Sequence, residues 1–265
     1  RYSYLATVGV FIAITWASLE FIRNSATRIG AAVMALALCC LVTPVQAGYW
    51  KNGETLFTHA LAVTRDNHIA YNYVGYYLWN KGETDQAIEY YRKSIEIEPT
   101  YDEAHNNYGI ALAVKGQLDD AIEQFQIALR YKDHAASAHG NLGNAYAAQA
   151  NNFLVQGNNA AAEAKFDDAI SEFNQCLRLK ADDSQGHYNL GNVYAQRGKS
   201  AEAIQEFRKA IQLKPENPEA HFALGFVLSR QGKSAEAETE YLIALKQKPN
   251  YPEATQQLSA LRSPK

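Results

Sequence analysis

The stretch that decides the fold is AHNNYGIALAVKGQLDDAIEQFQIAL, which occupies residues 104–129. The same pattern returns along most of the chain, and its glycine recurs at Gly75, Gly109 and Gly143, each 34 residues after the last. Gly191 and Gly225 are again 34 residues apart. Self-similarity at a fixed period of this length indicates a repeat architecture, in which each copy stacks on its neighbours.

Two further positions repeat together with the glycine: an alanine in the second half of each copy, and a bulky aromatic residue four positions later. They are Ala87, Ala121, Ala169, Ala203 and Ala237, followed by Tyr91, Phe125, Phe173, Phe207 and Tyr241. The pattern resembles the tetratricopeptide repeat (TPR), in which small residues let two antiparallel helices approach closely. The resemblance covers residues 68–251 as five repeats. It implies an all-α fold, a solenoid of helix pairs wound into a right-handed superhelix.

The third repeat is longer than the others and is predicted to span residues 136–183. Gly143 and Gly157 are 14 residues apart, whereas the corresponding Gly109 and Gly116 are seven apart. The interval from Gly157 to Ala169 exceeds its counterparts by seven as well. Seven residues are close to two helical turns, so we expect a longer helical hairpin with its turn at Gly157. Residues 51–67 are predicted to contain a lone helix before the repeats, and residues 252–265 a capping helix after them.

The N-terminal segment, residues 1–50, is strongly apolar. Residues 4–22 carry one charge, Glu20, and residues 29–49 carry none, so each stretch is close to the length that crosses a bilayer as a helix. We therefore predict two transmembrane helices joined by residues 23–28. The alternative is a signal peptide, because Val45-Gln46-Ala47 resembles a cleavage site. The first residue is Arg1 rather than Met, so we expect the chain to be part of a longer protein.

The two arginines of the connecting segment predict the topology. Arg23 and Arg28 lie between the apolar stretches, and the positive-inside rule places such a loop in the cytoplasm. Both ends of the hairpin then lie on the opposite side. The expected location is the bacterial inner membrane, with the repeats in the periplasm.

Composition argues against several classes of function. The net charge of −3 does not suit a nucleic-acid partner, which requires a concentrated basic surface. The three cysteines show neither a disulfide framework nor zinc-ligand spacing. No phosphate loop or nucleophile elbow occurs, so no catalytic residue and no cofactor are predicted for this segment.

Four histidines stand four residues before the repeat glycine: His105, His139, His187 and His221. A row of histidines suggests a metal site, but these residues belong to different repeats. Packed helices are about 8–10 Å apart, whereas ligands of one zinc ion lie about 2 Å from it. We therefore expect these histidines to pack between helices rather than to bind a metal.

The predicted binding site is the face of the first helices that lines the concave side in TPR proteins. Its candidate peptide-binding residues are Asn72, Tyr76, Trp79, Asn107, Asn141, Asn144, Tyr188, Asn189, Asn192, Phe222, Phe226 and Arg230. Asn107, Asn141 and Asn189 occupy one position of the repeat. They resemble the asparagine ladder of the O-GlcNAc transferase superhelix, whose amides hold a peptide backbone; the alternative is that asparagine is simply frequent at this position.

The N-terminal junction has a second resemblance. RYSYL at residues 1–5, the two apolar stretches, QAGYW at 46–50 and GETLFTHAL at 53–61 are similar to the end of the membrane domain in bacterial relatives of protein O-mannosyltransferases with C-terminal TPRs. Those are lipid-sugar-dependent glycosyltransferases of the GT-C type, whose catalytic carboxylates lie upstream of this segment. The resemblance implies a membrane-anchored, non-catalytic module for protein or peptide binding. The alternative is the acceptor-binding tail of an active O-glycosyltransferase.

Overall fold

The computed structural model describes residues 47–132 and 135–262, together with the isolated positions 33, 34, 37 and 43. It divides into two compact parts, Arg1–Tyr73 and Val74–Lys265. The predicted membrane spans, residues 4–22 and 29–49, lie almost entirely outside the described residues. Within the described part of the chain, none of the helices combines the length and the apolar character that crossing a bilayer requires.

All regular secondary structure in the described residues is α-helical, and the predicted all-α class is confirmed. The helices are α1 (Gly53–Val63), α2 (His68–Asn80), α3 (Thr84–Ile97), α4 (Asp102–Val114), α5 (Leu118–Tyr131), α6 (Ala136–Val155), α7 (Asn159–Leu179), α8 (Ser184–Gln196), α9 (Ser200–Leu213), α10 (Pro218–Arg230), α11 (Ser234–Gln247) and α12 (Pro252–Arg262). From α4 to α11 each first helix packs on the second helix of its own repeat, and each second helix packs on the next repeat. The chain therefore builds a solenoid in Val74–Lys265.

A buried aromatic ring lies against a glycine in each repeat. Phe125 on α5 is 1% exposed, and its ring covers Gly109 on α4. A Cβ atom added to Gly109 would lie 2.6 Å from Phe125 Cε1, which is closer than two carbon atoms can approach. Phe207 covers Gly191 in the same way. The repeated glycine is thus required by the close approach of the second helix.

The turn between the two helices of a repeat also needs glycine. Gly116 has φ +78°, in the left-handed region that L side chains rarely adopt. Its N–H donates to the carbonyl of Ala113, and the next N–H, of Gln117, donates to the carbonyl of Leu112. These bonds satisfy carbonyls that the end of α4 leaves open. Gly157 has the same geometry at the tip of the third repeat.

The third repeat is a longer hairpin. Helix α6 has 20 residues and α7 has 21, whereas α4 has 13 and α5 has 14, so each helix is seven residues longer. The core continues into the extension, where Ala150, Ala162 and Phe166 are buried and Phe153 packs against them. The two residues after Phe153 do not share in this packing, and Val155 is 90% exposed.

Candidate functional site

The first helices of the repeats form one continuous face. In Val74–Lys265, α4 contacts α6, α6 contacts α8, α8 contacts α10, and α10 contacts α12. We call the solvent side of α4, α6, α8 and α10 the first-helix face. Residues three or four positions apart lie on the same side of a helix. The first-helix face is therefore a strip of surface to which all four helices contribute side chains.

Asparagine amides join neighbouring repeats along this face. Asn141 Nδ2 donates to Asn106 Oδ1 over 3.0 Å, and Asn189 Nδ2 donates to Asn144 Oδ1 over 2.9 Å. Gln185 Nε2 in turn donates to Asn189 Oδ1 over 2.8 Å. Asn141 and Asn189, two of the three predicted ladder residues, therefore each bind an asparagine of the preceding repeat rather than one another.

These pairs leave part of each amide unused. A side-chain amide carries two N–H donors and a carbonyl oxygen with two lone pairs. The bond from Asn141 to Asn106 uses one donor of Asn141. The pairing thus fixes the orientation of the amide while its remaining donor and acceptor capacity suits a peptide backbone. Asn107, Asn141, Asn189 and Asn192 are half-buried, and Asn144 is exposed.

An aromatic cluster occupies the C-terminal end of the face. The ring of Phe222 lies 6.4 Å from that of Phe226, 5.9 Å from Tyr241 and 5.1 Å from Tyr251. Phe226 is 37% exposed. Tyr251 is not among the residues predicted from the sequence, because it lies just before α12 rather than on the first helix of a repeat.

Two cations border this cluster. Arg230 Cζ lies 6.0 Å from the centre of the Phe226 ring, and Lys248 Nζ lies 4.5 Å from the centre of the Tyr251 ring. Lys248 also binds Glu219 at 2.9 Å. Burial raises the pKa of Tyr251 to about 12, and the nearby Glu219 carboxylate acts in the same direction. The Tyr251 hydroxyl is therefore neutral at physiological pH. Tyr188 is half-buried, with its ring 5.9 Å from that of Phe207.

Asn72 does not line an accessible face, which corrects the prediction. It is 2% exposed. In the part Arg1–Tyr73, Phe57 on α1 stacks on Tyr73 on α2 with the ring centres 4.3 Å apart. Helix α1 thus lies against this portion of α2, a contact that the pattern of α2 alone does not reveal.

The other two candidates on α2 differ from each other. Tyr76 is 47% exposed and makes an edge contact with Tyr77. Trp79 is half-buried and packs against the core cluster formed by Ala87, Tyr91 and Ala111. Tyr76 is accessible to a ligand, whereas much of the Trp79 ring belongs to the core.

The four histidines pack between the two helices of their repeats, as predicted. His105, His187 and His221 are buried and His139 is half-buried. Each ring binds a side chain on the second helix of its own repeat. Among the described residues, no group of three or more His, Cys, Asp or Glu side chains could hold a metal ion. Burial raises the pKa of the Cys176 thiol to about 11, which does not suit a nucleophile.

Comparison with known proteins identifies the repeats. Family models described as tetratricopeptide repeat match residues 69–101, 90–123 and 107–164, and one described as TPR repeat matches residues 191–232. These segments are tetratricopeptide repeats, so the repeat prediction is confirmed. None of these four models reaches residues 1–62, and the resemblance to O-mannosyltransferases stays a prediction. No curated protein matches the sequence.

Solved structures share the fold. YrrB, described as a TPR protein with an unusual peptide-binding site, is 19% identical, with a TM-score of 0.56 over 77% of this chain and 97% of its own. TTC0263, described as a thermophilic TPR protein in Thermus thermophilus, is 20% identical, with a TM-score of 0.61 over 73% of this chain and 98% of its own. MamA is 26% identical, with a TM-score of 0.55 over 66% of this chain and 95% of its own.

Proposed function

We propose that the first-helix face binds an extended polypeptide. The observation that carries this proposal is the row of amides, Asn141–Asn106 and Asn189–Asn144, which are oriented by one another and keep further hydrogen-bonding capacity. An amide both donates and accepts, so it can bind the backbone of a peptide of any sequence. The similarity to YrrB, whose description includes a peptide-binding site, supports the same function.

The C-terminal aromatic cluster supplies apolar anchors for this ligand. Phe226 is exposed at the edge of the cluster, whereas Phe222 is held between Tyr241 and Tyr251. Aromatic rings on a binding surface are typical hot spots. Replacing Phe226 with alanine should therefore reduce the free energy of peptide binding by more than it reduces the free energy of unfolding. Replacing Phe222 should reduce both.

Salt should have little effect on the binding. The predicted contact residues on α4, α6 and α8 are all uncharged, and Arg230 on α10 is the one charged candidate. Binding that depends on amides and apolar anchors is screened far less than binding to phosphates. A flexible peptide loses conformational entropy when it is ordered, so we expect modest affinity.

The test replaces Asn107, Asn141 and Asn189 with alanine in the full chain and measures the anisotropy of labelled, unstructured peptides. Binding should weaken at least several-fold. Loss of the two inter-repeat bonds should lower stability by only about 0.5–1.5 kcal/mol each. A matched control replaces Asn151, Asn152 and Asn174, which are exposed asparagines outside the predicted site. Equal binding by the two triple variants would refute the role of the amides.

We further propose that residues 4–49 anchor this module to a bacterial inner membrane, with the repeats in the periplasm. The support is the apolar sequence of this segment and the two arginines between its halves. A reporter enzyme that is active only in the periplasm, fused after Lys265, should be active. An inactive fusion together with an active cytoplasmic reporter would contradict this topology.

The resemblance of residues 1–62 supports a larger GT-C-like parent protein, of which this module is the non-catalytic C-terminal part. The alternative proposal is that the parent is an active O-glycosyltransferase and that the first-helix face presents its polypeptide acceptor. The two proposals predict different results for the asparagine triple variant of the full-length parent. Loss of glycosyl transfer to a protein acceptor, with transfer to a short soluble acceptor retained, supports the acceptor-binding tail.

A further inference from the structure

Each buried histidine connects the two helices of its repeat with the turn that precedes them. In the fourth repeat, His187 Nδ1 lies 2.6 Å from Glu206 Oε2 on the second helix, and His187 Nε2 lies 3.2 Å from the carbonyl oxygen of Ala181 in the preceding turn. In the fifth repeat, His221 Nδ1 lies 2.6 Å from Glu240 Oε2, and Nε2 lies 3.1 Å from the carbonyl oxygen of Pro215. The two arrangements are equivalent.

Both ring nitrogens of these histidines face acceptors. A backbone carbonyl oxygen only accepts hydrogen bonds, and so does an ionised carboxylate. Neutral imidazole has one N–H, so it can satisfy only one of the two contacts. A neutral imidazole beside an ionised carboxylate has one proton too few to form both contacts. The histidine–glutamate pair must therefore bind one additional proton. An imidazolium ion that donates to both acceptors meets this condition.

The second repeat provides an internal comparison. His105 has the same position, with Nδ1 2.8 Å from Gln124 Oε1 and Nε2 2.9 Å from the carbonyl oxygen of Pro99. An amide can present either its oxygen or its NH₂ group, since the two are exchanged by a flip. The NH₂ group of Gln124 can donate to a neutral Nδ1 while Nε2–H donates to Pro99. This repeat therefore needs no additional proton.

We propose that the fourth and fifth repeats each bind a proton between histidine and glutamate, so that the stability of the solenoid depends on pH. The proton is held where the two helices of the repeat meet the turn before them. The third repeat has the same Nδ1 contact, between His139 and Glu172 at 2.6 Å. The charged contacts thus concentrate in the C-terminal repeats, while the first two repeats carry Tyr90 and Gln124 at the glutamate position.

The surrounding charges are consistent with this assignment. Glu206 Oε1 binds Lys209 at 3.0 Å, which leaves Oε2 for His187, and Tyr194 faces the same carboxylate. Lys180 and Asp183, which pair with each other, flank the carbonyl of Ala181.

Around His221, the carboxylate is that of Glu240 on the second helix, and Lys214 adjoins Pro215 in the preceding turn. The bond to Glu240 raises the pKa of His221, and the bond to the carbonyl of Pro215 acts in the same direction against the effect of burial.

The direction of the pH effect follows from this raised pKa. Unfolded histidine has a pKa of about 6.5. Below about pH 6.5 the folded and the unfolded protein both bind the proton, and the full stabilisation is present. As the pH rises through the higher folded pKa, the stabilisation is lost, because the unfolded state releases its proton first. As the pH rises between these two pKa values, the His221–Glu240 pair lowers the ratio of folded to unfolded protein by up to about tenfold per pH unit.

The experiment compares the full chain with Glu206→Gln/Glu240→Gln, in which neutral histidine can keep both contacts. Urea unfolding is measured from about pH 6 to about pH 9, a range that brackets the histidine titration. The unfolding midpoint of the original chain should fall with pH by more than that of the double variant. The reverse variant, Gln124→Glu, creates a further such pair and should steepen the dependence. Because this variant leaves Glu206 and Glu240 in place, it keeps the test decisive if the double variant does not fold.

Histidine Cε1 NMR signals give a second readout. In the original protein, His221 should titrate above about pH 6.5, the value for unfolded histidine, and its titration should move down in the double variant. Equal pH dependence of the midpoints in all three proteins would overturn the proposal. The same follows if His221 is already neutral below about pH 6.5, where unfolded histidine is still largely protonated.

Discussion

Two glycines of helix α6 allow a matched test of why the repeat glycine is required. A Cβ atom added at Gly143 would lie 2.9 Å from Phe173 Cε1 and 3.0 Å from Cδ1. Phe173 is fully buried, so its ring cannot move aside freely. At Gly140, three residues earlier on the same helix, the nearest atom would be Cys176 Sγ at 3.5 Å, an ordinary contact.

The magnitudes follow from two opposing effects. Replacing glycine with alanine inside a helix stabilises it by about 1 kcal/mol, and this gain applies to both positions. Overpacking a buried site costs about 1–3 kcal/mol, and this cost applies only to Gly143. Gly140→Ala should therefore be more stable than the original chain by up to about 1 kcal/mol. Gly143→Ala should be less stable than Gly140→Ala by about 1–3 kcal/mol.

The assay is urea unfolding followed by circular dichroism under identical conditions for both variants. For a domain of this size, 1 kcal/mol corresponds to roughly 2–4 °C in melting temperature, so thermal unfolding provides an independent check. A smaller side chain, introduced by Phe173→Leu, should recover part of the loss in the Gly143→Ala background. If Gly143→Ala were as stable as Gly140→Ala, the ring would not be the constraint, and the explanation of the repeat glycine would be wrong.

Three further outcomes are expected. Gly198→Ala should lower stability by about 1–2 kcal/mol in urea unfolding, because Gly198 has φ +71°. No atom lies within 4 Å of the added Cβ, so a clash does not contribute to this loss. An unchanged midpoint would contradict the need for a left-handed residue in this turn. Spectrophotometric titration of the tyrosines should contain a component near pH 12 that Tyr251→Phe removes, since burial raises that pKa to about 12. Stability linked to Tyr251 is complete below its unfolded pKa of about 10 and is lost as the pH rises through the folded value. Deleting residues 150–156 and 158–164, on either side of Gly157, should leave a cooperatively folding solenoid; loss of cooperative unfolding would show that the extension is integral.

Much of the fold was predictable because the repeat imposes the same local constraints at every copy. The spacing of Gly109 and Phe125 reflects one contact between two adjacent helices, and this contact recurs wherever the spacing does. The added length of the third repeat could be located from the positions of Gly143, Gly157 and Ala169, since helical periodicity converts residue counts into turns. The position of the histidines indicated correctly that they pack between helices.

The site was less predictable, because its contacts join residues of different repeats. The sequence identified Asn141 and Asn189 as members of one row, but it did not reveal that Asn106 and Gln185 bind them. Asn106 and Asn107 are adjacent on the same helix. A shift of one position along a helix changes the direction of the side chain enough for it to reach the neighbouring repeat. Tyr251 lies at the end of the last repeat and joins the aromatic cluster only through the packing of α10 on the residues before α12.

The sequence by itself determined the all-α class, the repeat period and the seven-residue extension of both helices in the third repeat, because these depend on spacings within one or two helices. Only the tertiary structure decided that Asn72 is buried, that the asparagines pair across repeats, and that His187 and His221 each face two acceptors. These features depend on the offset and angle between neighbouring helices. Side-chain packing along the whole stack of repeats sets this offset and angle, so they cannot be derived from residue spacings within a single repeat.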